Sequence, residues 1–335
     1  MVGIRSNAGY GLWDVVTGPW GVGGRVGSAL VGVLTVIEEE FAEVSHMLGT
    51  VQNIPGTGYY VRQLNPSNVY DMVVAQLDGR GNIKSNNAAT ALIEAFHPPY
   101  ILMVGIAGGV KDRDGTSIGD IIVPNFIDYY EMRKLVDGKS LRRCEPYDHP
   151  GSSLRQNFAL PVARRKAWIN RIDQKRRPDQ DGNHPSIRTG PLISGEKVLG
   201  DDEAEIQQTI LSEFDNALAV DMESFGLGSA VYAARSTRHY NPQYLVVRGV
   251  SDLIRHVPAG QAAPPDQAVG DLPNNEVRRR WKSYAAHAAA AFALAVVDEI
   301  VANIVSAPEQ VRQRRWRWWG WLSLARIKRG ANDPK

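Results

Sequence analysis

Long apolar runs without alternation restrict the fold of this chain more than any other feature of its sequence. Turn residues bound each run, and the runs lie at 31–37, 72–77, 100–105, 121–124, 218–220 and 244–250. Such runs are typical of strands that are covered on both faces. Helical spacing occurs between them, for example on the face shared by Ala89, Leu92, Ile93 and Phe96. The alternation predicts an α/β fold with a mixed, largely parallel central sheet flanked by helices on both faces.

The ends of the chain differ in composition from the segment that carries these runs. We expect a Gly-rich N-terminal extension over 1–28, one folded domain over 29–307 and an Arg/Trp-rich tail over 308–335. Within the domain, residues 138–185 are more polar and form a predicted elaboration of the core. A helix is expected to begin near Glu223, and a long helix is expected over about 276–304.

The C-terminal tail holds half of the eight tryptophans of the chain, interleaved with arginine. Interleaved Arg and Trp side chains are able to contact a lipid surface, a protein or a nucleic acid. They also pack against a parent domain, with indole rings under Arg stems. We favour packing or self-association and keep membrane or protein contact as the alternative. Nucleic acid is not an expected partner, because the net charge of the chain is only +2.

Composition excludes several classes of protein. Hydrophobic residues make up 43% and charged residues 22% of the 335 residues, which is typical of a folded chain. A lone cysteine, Cys144, excludes an internal disulfide framework and fits a reducing cytoplasm, where we expect the protein. The histidines lack metal-ligand spacing, and no dinucleotide or P-loop motif is present, so we expect no metal and no cofactor. The apolar stretch 283–297 contains His287 and is shorter than the ~20 residues of a membrane span.

Acidic and glycine-rich segments follow four of the predicted strands, at the point where each strand ends. They are the acidic triplet 38–40, the glycine-rich turn 105–109, the segment 221–224 and the Arg-to-Asp segment 248–252. Each alone has an ordinary explanation as a helix start or a turn. Because ligands bind outside the carboxyl ends of strands in open α/β sheets, we expect the four segments to converge on one site.

At these segments the chain resembles the nucleoside phosphorylase superfamily, specifically its nucleosidase branch, which includes the methylthioadenosine/S-adenosylhomocysteine nucleosidases. The matching pieces occur in the order of the family and are VGVLTVIEEE (31–40), VGIAGG (104–109), IGDIIVP (118–124), ISGEKV (193–198), VDMES (220–224) and VRGVSD (247–252). They cover about 30–305, so the domain over 29–307 is expected to be a nucleosidase-like catalytic domain. The pieces ISGEKV and WKSYAA (281–286) also resemble purine nucleosidase effector domains linked to antiviral defence.

The resemblance implies cleavage of a purine N-glycosidic bond by three carboxylates. Asp252 is expected to protonate the purine at N7, Glu223 to bind the ribose hydroxyls, and Glu40 to orient the attacking water. Met222 is expected under the sugar, and Arg248 in a supporting role. The full set of expected substrate-binding residues is Ile106, Ala107, Gly108, Val198, Asp221, Met222, Arg248 and Ser251.

Departures from the family pattern bear on the reaction and on the substrate. Acids occupy the first strand end, where phosphorylases hold phosphate, and the turn 104–106 lacks an arginine, so we favour hydrolysis over phosphorolysis. Val198 stands where housekeeping nucleosidases place an aromatic residue against adenine. Lys134, just before the polar elaboration, and Arg142 and Arg143 within it would suit the 5′ side of a nucleotide, although ordinary surface exposure is the favoured explanation.

The expected substrate is therefore a purine nucleoside or nucleotide, with adenine as the favoured base. A homo-oligomer is expected, because sites in this family are often completed by a neighbouring subunit. Two alternatives stay open from the sequence. One is a phosphate-dependent purine nucleoside phosphorylase, and the other is a non-catalytic module that senses a nucleotide.

Overall fold

A computed structural model of the protein describes residues 29–49, 51–63, 71–111, 113–179, 182–200, 204–238, 240–256 and 274–305. The predicted extension over 1–28 and the Arg/Trp tail over 308–335 lie outside the described residues. The domain boundaries proposed from the sequence therefore stay predictions.

The strands of the described chain follow the predicted apolar runs and add shorter ones. They are β1 (Val31–Thr35), β2 (Gln52–Asn53), β3 (Tyr59–Gln63), β4 (Asp71–Gln76), β5 (Tyr100–Val110), β6 (Ile121–Ile122), β7 (Phe126–Tyr129), β8 (Arg133–Val136), β9 (Lys139–Arg142), β10 (Ile187–Arg188), β11 (Pro191–Ser194), β12 (Ala219–Asp221) and β13 (Gln243–Ile254). Strands β8 and β9 form a separate hairpin, and the others belong to one sheet.

The sheet is mixed, with a parallel centre. Strands β13, β5, β1 and β4 lie side by side and are all parallel. Antiparallel pairings flank this centre, where β3 joins β4, β6 joins β13, and β12 joins the end of β5. Strand β11 pairs in parallel with both β12 and β7. The predicted mixed, largely parallel sheet is confirmed.

Helices cover both faces of this sheet, as predicted. They are α1 (Glu38–Leu48), α2 (Asn82–Phe96), α3 (Ser152–Leu154), α4 (Leu160–Arg165), α5 (Glu205–Glu213), α6 (Ser224–Arg238) and α7 (Asn274–Val305), with a π-helical turn (Arg155–Ala159) between α3 and α4. Alternate residues of each central strand point to opposite faces. Val33 packs with α1 and α7 in one core cluster, and its neighbour Leu34 packs with α2 and α6 in the other.

Helix α7 is the central helix of one of these clusters. Its length and apolar composition would also allow it to cross a membrane, but 67% of its apolar 18-residue stretch is buried inside the protein. Ala289, Ala291 and Phe292 are fully buried among residues from the sheet and from α1. The apolar character of the helix is therefore explained by its place in the core.

The polar elaboration is attached to the core by ion pairs. Arg171 donates to Asp298 of α7 at 2.6 Å, and Arg165 pairs with Glu299 at 2.6 Å. Arg176 donates to the buried Glu43 of α1 at 2.7 Å. Three arginines of the polar elaboration are therefore paired with acids of the core.

Candidate active site

The three carboxylates singled out from the sequence line one cavity. Glu40 follows β1, Glu223 follows β12, and Asp252 lies near the end of β13, and all three border a cavity of about 510 Å³. This volume includes open solvent, so the cavity is a cleft that opens to the surface of the protein. The prediction that acidic strand ends converge on one hollow is therefore met by the described residues.

Glu40 is fixed in the cavity wall by backbone N–H groups. The turn after β1 brings the carboxylate back onto its own backbone, so that Oε2 accepts hydrogen bonds from Val36 N at 2.7 Å and Ile37 N at 3.2 Å. Oε1 accepts from Ile106 N at 2.9 Å, in the glycine-rich segment 105–109, which was predicted as a turn but lies inside β5 because it pairs with β13. Burial raises the pKa of Glu40, although these hydrogen bonds and the charge of Arg248 act in the opposite direction.

Arg248 connects the carboxylates from behind the cavity wall. It is fully buried, its Nε donates to Asp221 at 2.9 Å, and its Nη2 donates to Glu223 at 3.1 Å. Its Nη1 has no hydrogen-bond partner within the described part of the chain. A Cβ atom added at Gly105 would lie within 3.0 Å of both Nη1 and Glu40 Oε1. The unpartnered Nη1 and the Glu40 carboxylate therefore lie close together over Gly105, where a Cβ atom would point.

Glu223 is the second of the three cavity carboxylates, and burial changes its acidity as well. Oε1 accepts from Gly81 N at 3.2 Å, and the side chain is 5% exposed. Burial, together with the nearby negative charges of Asp221 and Glu40, raises the pKa of Glu223 to about 7 in spite of Arg248. Near neutral pH, this group is therefore able to change its protonation state.

Asp221 has a different environment from the one expected of a substrate ligand. Its carboxylate accepts from the backbone N–H of Ser224 at 3.2 Å and from the Ser224 hydroxyl, so it caps the start of α6. The same carboxylate also accepts from Arg248. Asp221 lines the cavity, but its carboxylate oxygens are engaged within the protein, which makes it a positioning residue for Arg248 and Glu223.

A β-bulge places Asp252 at the cavity. Val250 pairs with Ala107 and Asp252 pairs with Gly108, so Ser251 is the extra residue on β13. Such a bulge changes the direction of the side chain that follows it. The Ser251 hydroxyl donates to Asp252 Oδ1 at 2.5 Å, and Asp252 is 3% exposed. Burial raises the pKa of Asp252, as expected of a general acid.

The remaining predicted residues divide between the lining and the layer behind it. Ile106, Ala107, Gly108, Val198 and Met222 line the cavity. Val198 is half exposed and therefore stands at the rim. By contrast, Arg248 and Ser251 lie behind the lining residues and reach the site through Glu223 and Asp252.

Three cations line the cavity without having been singled out from the sequence as site residues: Arg80, Lys197 and Arg278. Lys134, Arg142 and Arg143, which the sequence offered for this place, do not line it. Arg142 pairs with Asp128 and lies over the Phe214 ring, 4.7 Å from its centroid. The sequence feature that could have identified Arg80 as a site residue is its position between Gly79 and Gly81 after β4. Both glycines have positive φ, at 104° and 105°.

Among the described residues, no group of three His, Cys, Asp or Glu side chains is arranged to hold a metal ion. The cavity thus offers carboxylates and cations to a ligand. A mixed sheet with such a cavity at its strand ends defines a class of α/β proteins that bind small molecules at the sheet edge.

Within that class, the family follows from a direct comparison. A family model of the Phosphorylase superfamily matches residues 31–298. The chain belongs to the phosphorylase superfamily.

Relatives and solved structures agree with the predicted branch. The 5′-methylthioadenosine/S-adenosylhomocysteine nucleosidase of Staphylococcus epidermidis is 24% identical over 226 residues, which are 67% of this chain and 86% of that protein. The enzyme of the same name from Neisseria meningitidis, in complex with methylthio-immucillin-A, matches with a TM-score of 0.56 and 17% identity, over 80% of this chain and 98% of that chain. The futalosine hydrolase of Helicobacter pylori gives 0.56 and 18%, over 80% and 97%. The resemblance to the nucleosidase branch is confirmed.

Proposed function

We propose that this protein is a purine nucleosidase, which hydrolyses the N-glycosidic bond of an adenine nucleoside or nucleotide to free base and sugar. The observation that carries this proposal is the meeting of Glu40, Glu223 and Asp252 in one cavity. All three side chains are buried, and burial raises the pKa of each. The names of the relatives, which are adenine nucleosidases, support the choice of base.

The chemistry requires a better leaving group, a stabilised sugar cation and a positioned water. Asp252, when protonated, donates its proton to the base as the bond breaks. Glu223 accepts hydrogen bonds from the ribose hydroxyls and places negative charge beside the developing cation. Glu40 accepts a proton from the water, and the buried charge of Arg248 acts on Glu40 from behind the cavity wall.

Hydrolysis is favoured over phosphorolysis by the charge around this water. Free phosphate carries negative charge and would approach Glu40, which is fixed by three backbone hydrogen bonds and has little freedom to move away. Arg248 is already bound to Asp221 and Glu223. Phosphate at the attacking position would therefore meet strong repulsion.

Base release measured by chromatography tests the proposal. Adenosine, methylthioadenosine, S-adenosylhomocysteine, AMP and ATP are each incubated with the protein, with and without inorganic phosphate. We expect adenine without phosphate, and we expect Asp252→Asn to reduce release by ~10²–10⁴-fold. Asp78→Asn is the matched control, because Asp78 is exposed and lies outside the cavity lining. Release that requires phosphate would identify a phosphorylase, and tight nucleotide binding without release would identify a sensing module.

Three further expectations belong to this proposal: a cytoplasmic location, a homo-oligomer and a role in antiviral defence. Exposed apolar side chains on and beside the β8–β9 hairpin, such as Leu135 at 79% exposure, support self-association. Sedimentation analysis tests the oligomer. Deletion of 308–335 tests whether the tail is needed for assembly or for membrane or protein contact.

A further inference from the structure

We propose that the substrate is a 5′-phosphorylated purine nucleotide and that Arg80 and Arg278 bind its phosphate groups. This inference rests on the proposed nucleosidase function and adds the chemical class of the substrate. Both side chains line the cavity that holds the three carboxylates.

The carboxylates fix the direction in which the substrate lies. Asp252 marks the base end, and Glu223 marks the ribose. Gly81 donates its N–H to Glu223, and Arg80 is the preceding residue, so Arg80 lies beside the ribose-binding carboxylate. Arg80 is exposed, and within the described part of the chain it forms no ion pair. Its guanidinium is therefore available at the sugar end of the cavity.

Helix α7 brings further positive charge to the cavity mouth. Arg278 and Lys282 are four residues apart and therefore project from the same face of the helix. Lys282 forms an ion pair with Glu39, whose pKa is lowered by that contact and, to a smaller extent, by the charge of Arg80. Lys282 and Arg80 thus act on the same acid, Glu39, and Arg278 lies one helical turn before Lys282. Two guanidinium groups that line one cavity fit a phosphate dianion, whereas an apolar 5′ group would take solvent from them without replacing their hydrogen bonds.

Arg278 also connects phosphate binding to the general acid, because the C8–N7 edge of a purine in the anti conformation faces the 5′ side of the sugar. Asp252 at N7 and a 5′ phosphate therefore lie on the same side of the nucleotide. Its Nε lies 4.0 Å from Asp252 Oδ1, and its positive charge lowers the pKa of Asp252, against the effect of burial. A phosphate bound to Arg278 offsets that charge. Asp252 then keeps its proton to higher pH. Because the acid form is the active one and kcat reports the enzyme–substrate complex, the alkaline limb of the pH profile of kcat is expected at higher pH for AMP than for adenosine.

The experiment compares kcat/KM for AMP, ATP and adenosine in the wild type, Arg80→Gln and Arg278→Gln. A hydrogen bond to a charged group is worth roughly one to two factors of ten in binding. The ratio of AMP to adenosine should exceed one in the wild type and should fall by about 10- to 100-fold in each variant. Arg278→Gln should also remove the difference between the two alkaline limbs. Arg279→Gln is the matched control, since Arg279 is the next residue on α7, is exposed and pairs with Glu276 outside the cavity.

Further measurements distinguish free phosphate from the phosphate of a nucleotide. They also distinguish failure of the nucleotide proposal from failure of the nucleosidase proposal. Adding inorganic phosphate to the adenosine reaction tests whether the cations take free phosphate; stimulation together with ribose 1-phosphate as product would overturn the inference. Adenine release that is equally fast from AMP and adenosine would also overturn it, if Arg80→Gln and Arg278→Gln change the ratio no more than Arg279→Gln does. That result would leave the nucleosidase proposal intact. No release from any compound would refute the nucleosidase proposal itself.

Discussion

Replacing Gly105 by alanine is expected to damage the site from a position that offers no functional group. The added methyl carbon would lie within 3.0 Å of Glu40 Oε1 and Arg248 Nη1. Neither side chain yields easily, because Glu40 is held by backbone N–H groups and Arg248 by buried carboxylates. Overpacking costs roughly 1–3 kcal/mol. Loss of the Ile106 hydrogen bond to Glu40 adds roughly 1.5–3 kcal/mol, so we expect about 2.5–6 kcal/mol in all.

Two measurements test this expectation. Urea denaturation of Gly105→Ala should show this reduction in the free energy of unfolding. The folded fraction of the variant should release purine about 100-fold more slowly than the wild type, because Glu40 no longer orients the water. Gly58→Ala is the matched control, since no described atom lies within 4 Å of its added Cβ. A Gly105→Ala protein with wild-type stability and a rate within threefold of wild type would show that Glu40 and Arg248 do not face each other as described.

Three further predictions concern charge. Since burial raises the pKa of Glu223 to about 7 and the ionised form binds ribose, kcat/KM should fall about tenfold per pH unit below that value; a flat profile from pH 5 to 7 would contradict this. Asp221→Ala should cost about 3–5 kcal/mol in urea denaturation, because it leaves Arg248 buried with one partner fewer, and an unchanged midpoint would refute it. Burial favours protonation of Glu43, but hydrogen bonds from His287 and Arg176 lower its pKa from 4.5 to about 2. This stabilisation is present above pH 4.5 and is lost as the pH falls through 2, so Glu43→Gln should cost roughly 3 kcal/mol at pH 7 and little at pH 2.

The centre of the fold follows directly from the sequence. The six apolar runs correspond to β1, β4, β5, β6, β12 and β13, because strands buried on both faces need apolar residues at every position. The strands that were missed lack this pattern. All residues of β9 are exposed, and β2 consists of two exposed residues. Helix α5 was missed because its buried face is narrow and includes the polar residue Gln207.

The acidic part of the site was also predictable, and its cationic part was not. Glu40, Glu223 and Asp252 each follow a recognisable strand, so the topology alone brings them together. Arg80 follows β4, and we did not predict site residues at the end of that strand. Arg278 reaches the cavity because α7 packs across the sheet. The local sequence of a helix does not predict where on the sheet the helix will pack. Polarity alone suggested the basic residues of 138–185, and it carries no information about their distance from the cavity.

Helix α1 carries two buried glutamates three residues apart, and they belong to different parts of the protein. Glu40 borders the cavity, while Glu43 is bound to Arg176 of the polar elaboration. That elaboration contributes no lining residue, yet its ion pair helps to set where the water-activating helix lies. We therefore expect homologues that shorten or exchange this segment to retain a replacement for Arg176. Comparing the length of this segment with the turnover rate across such homologues would show whether a segment outside the cavity affects the reaction.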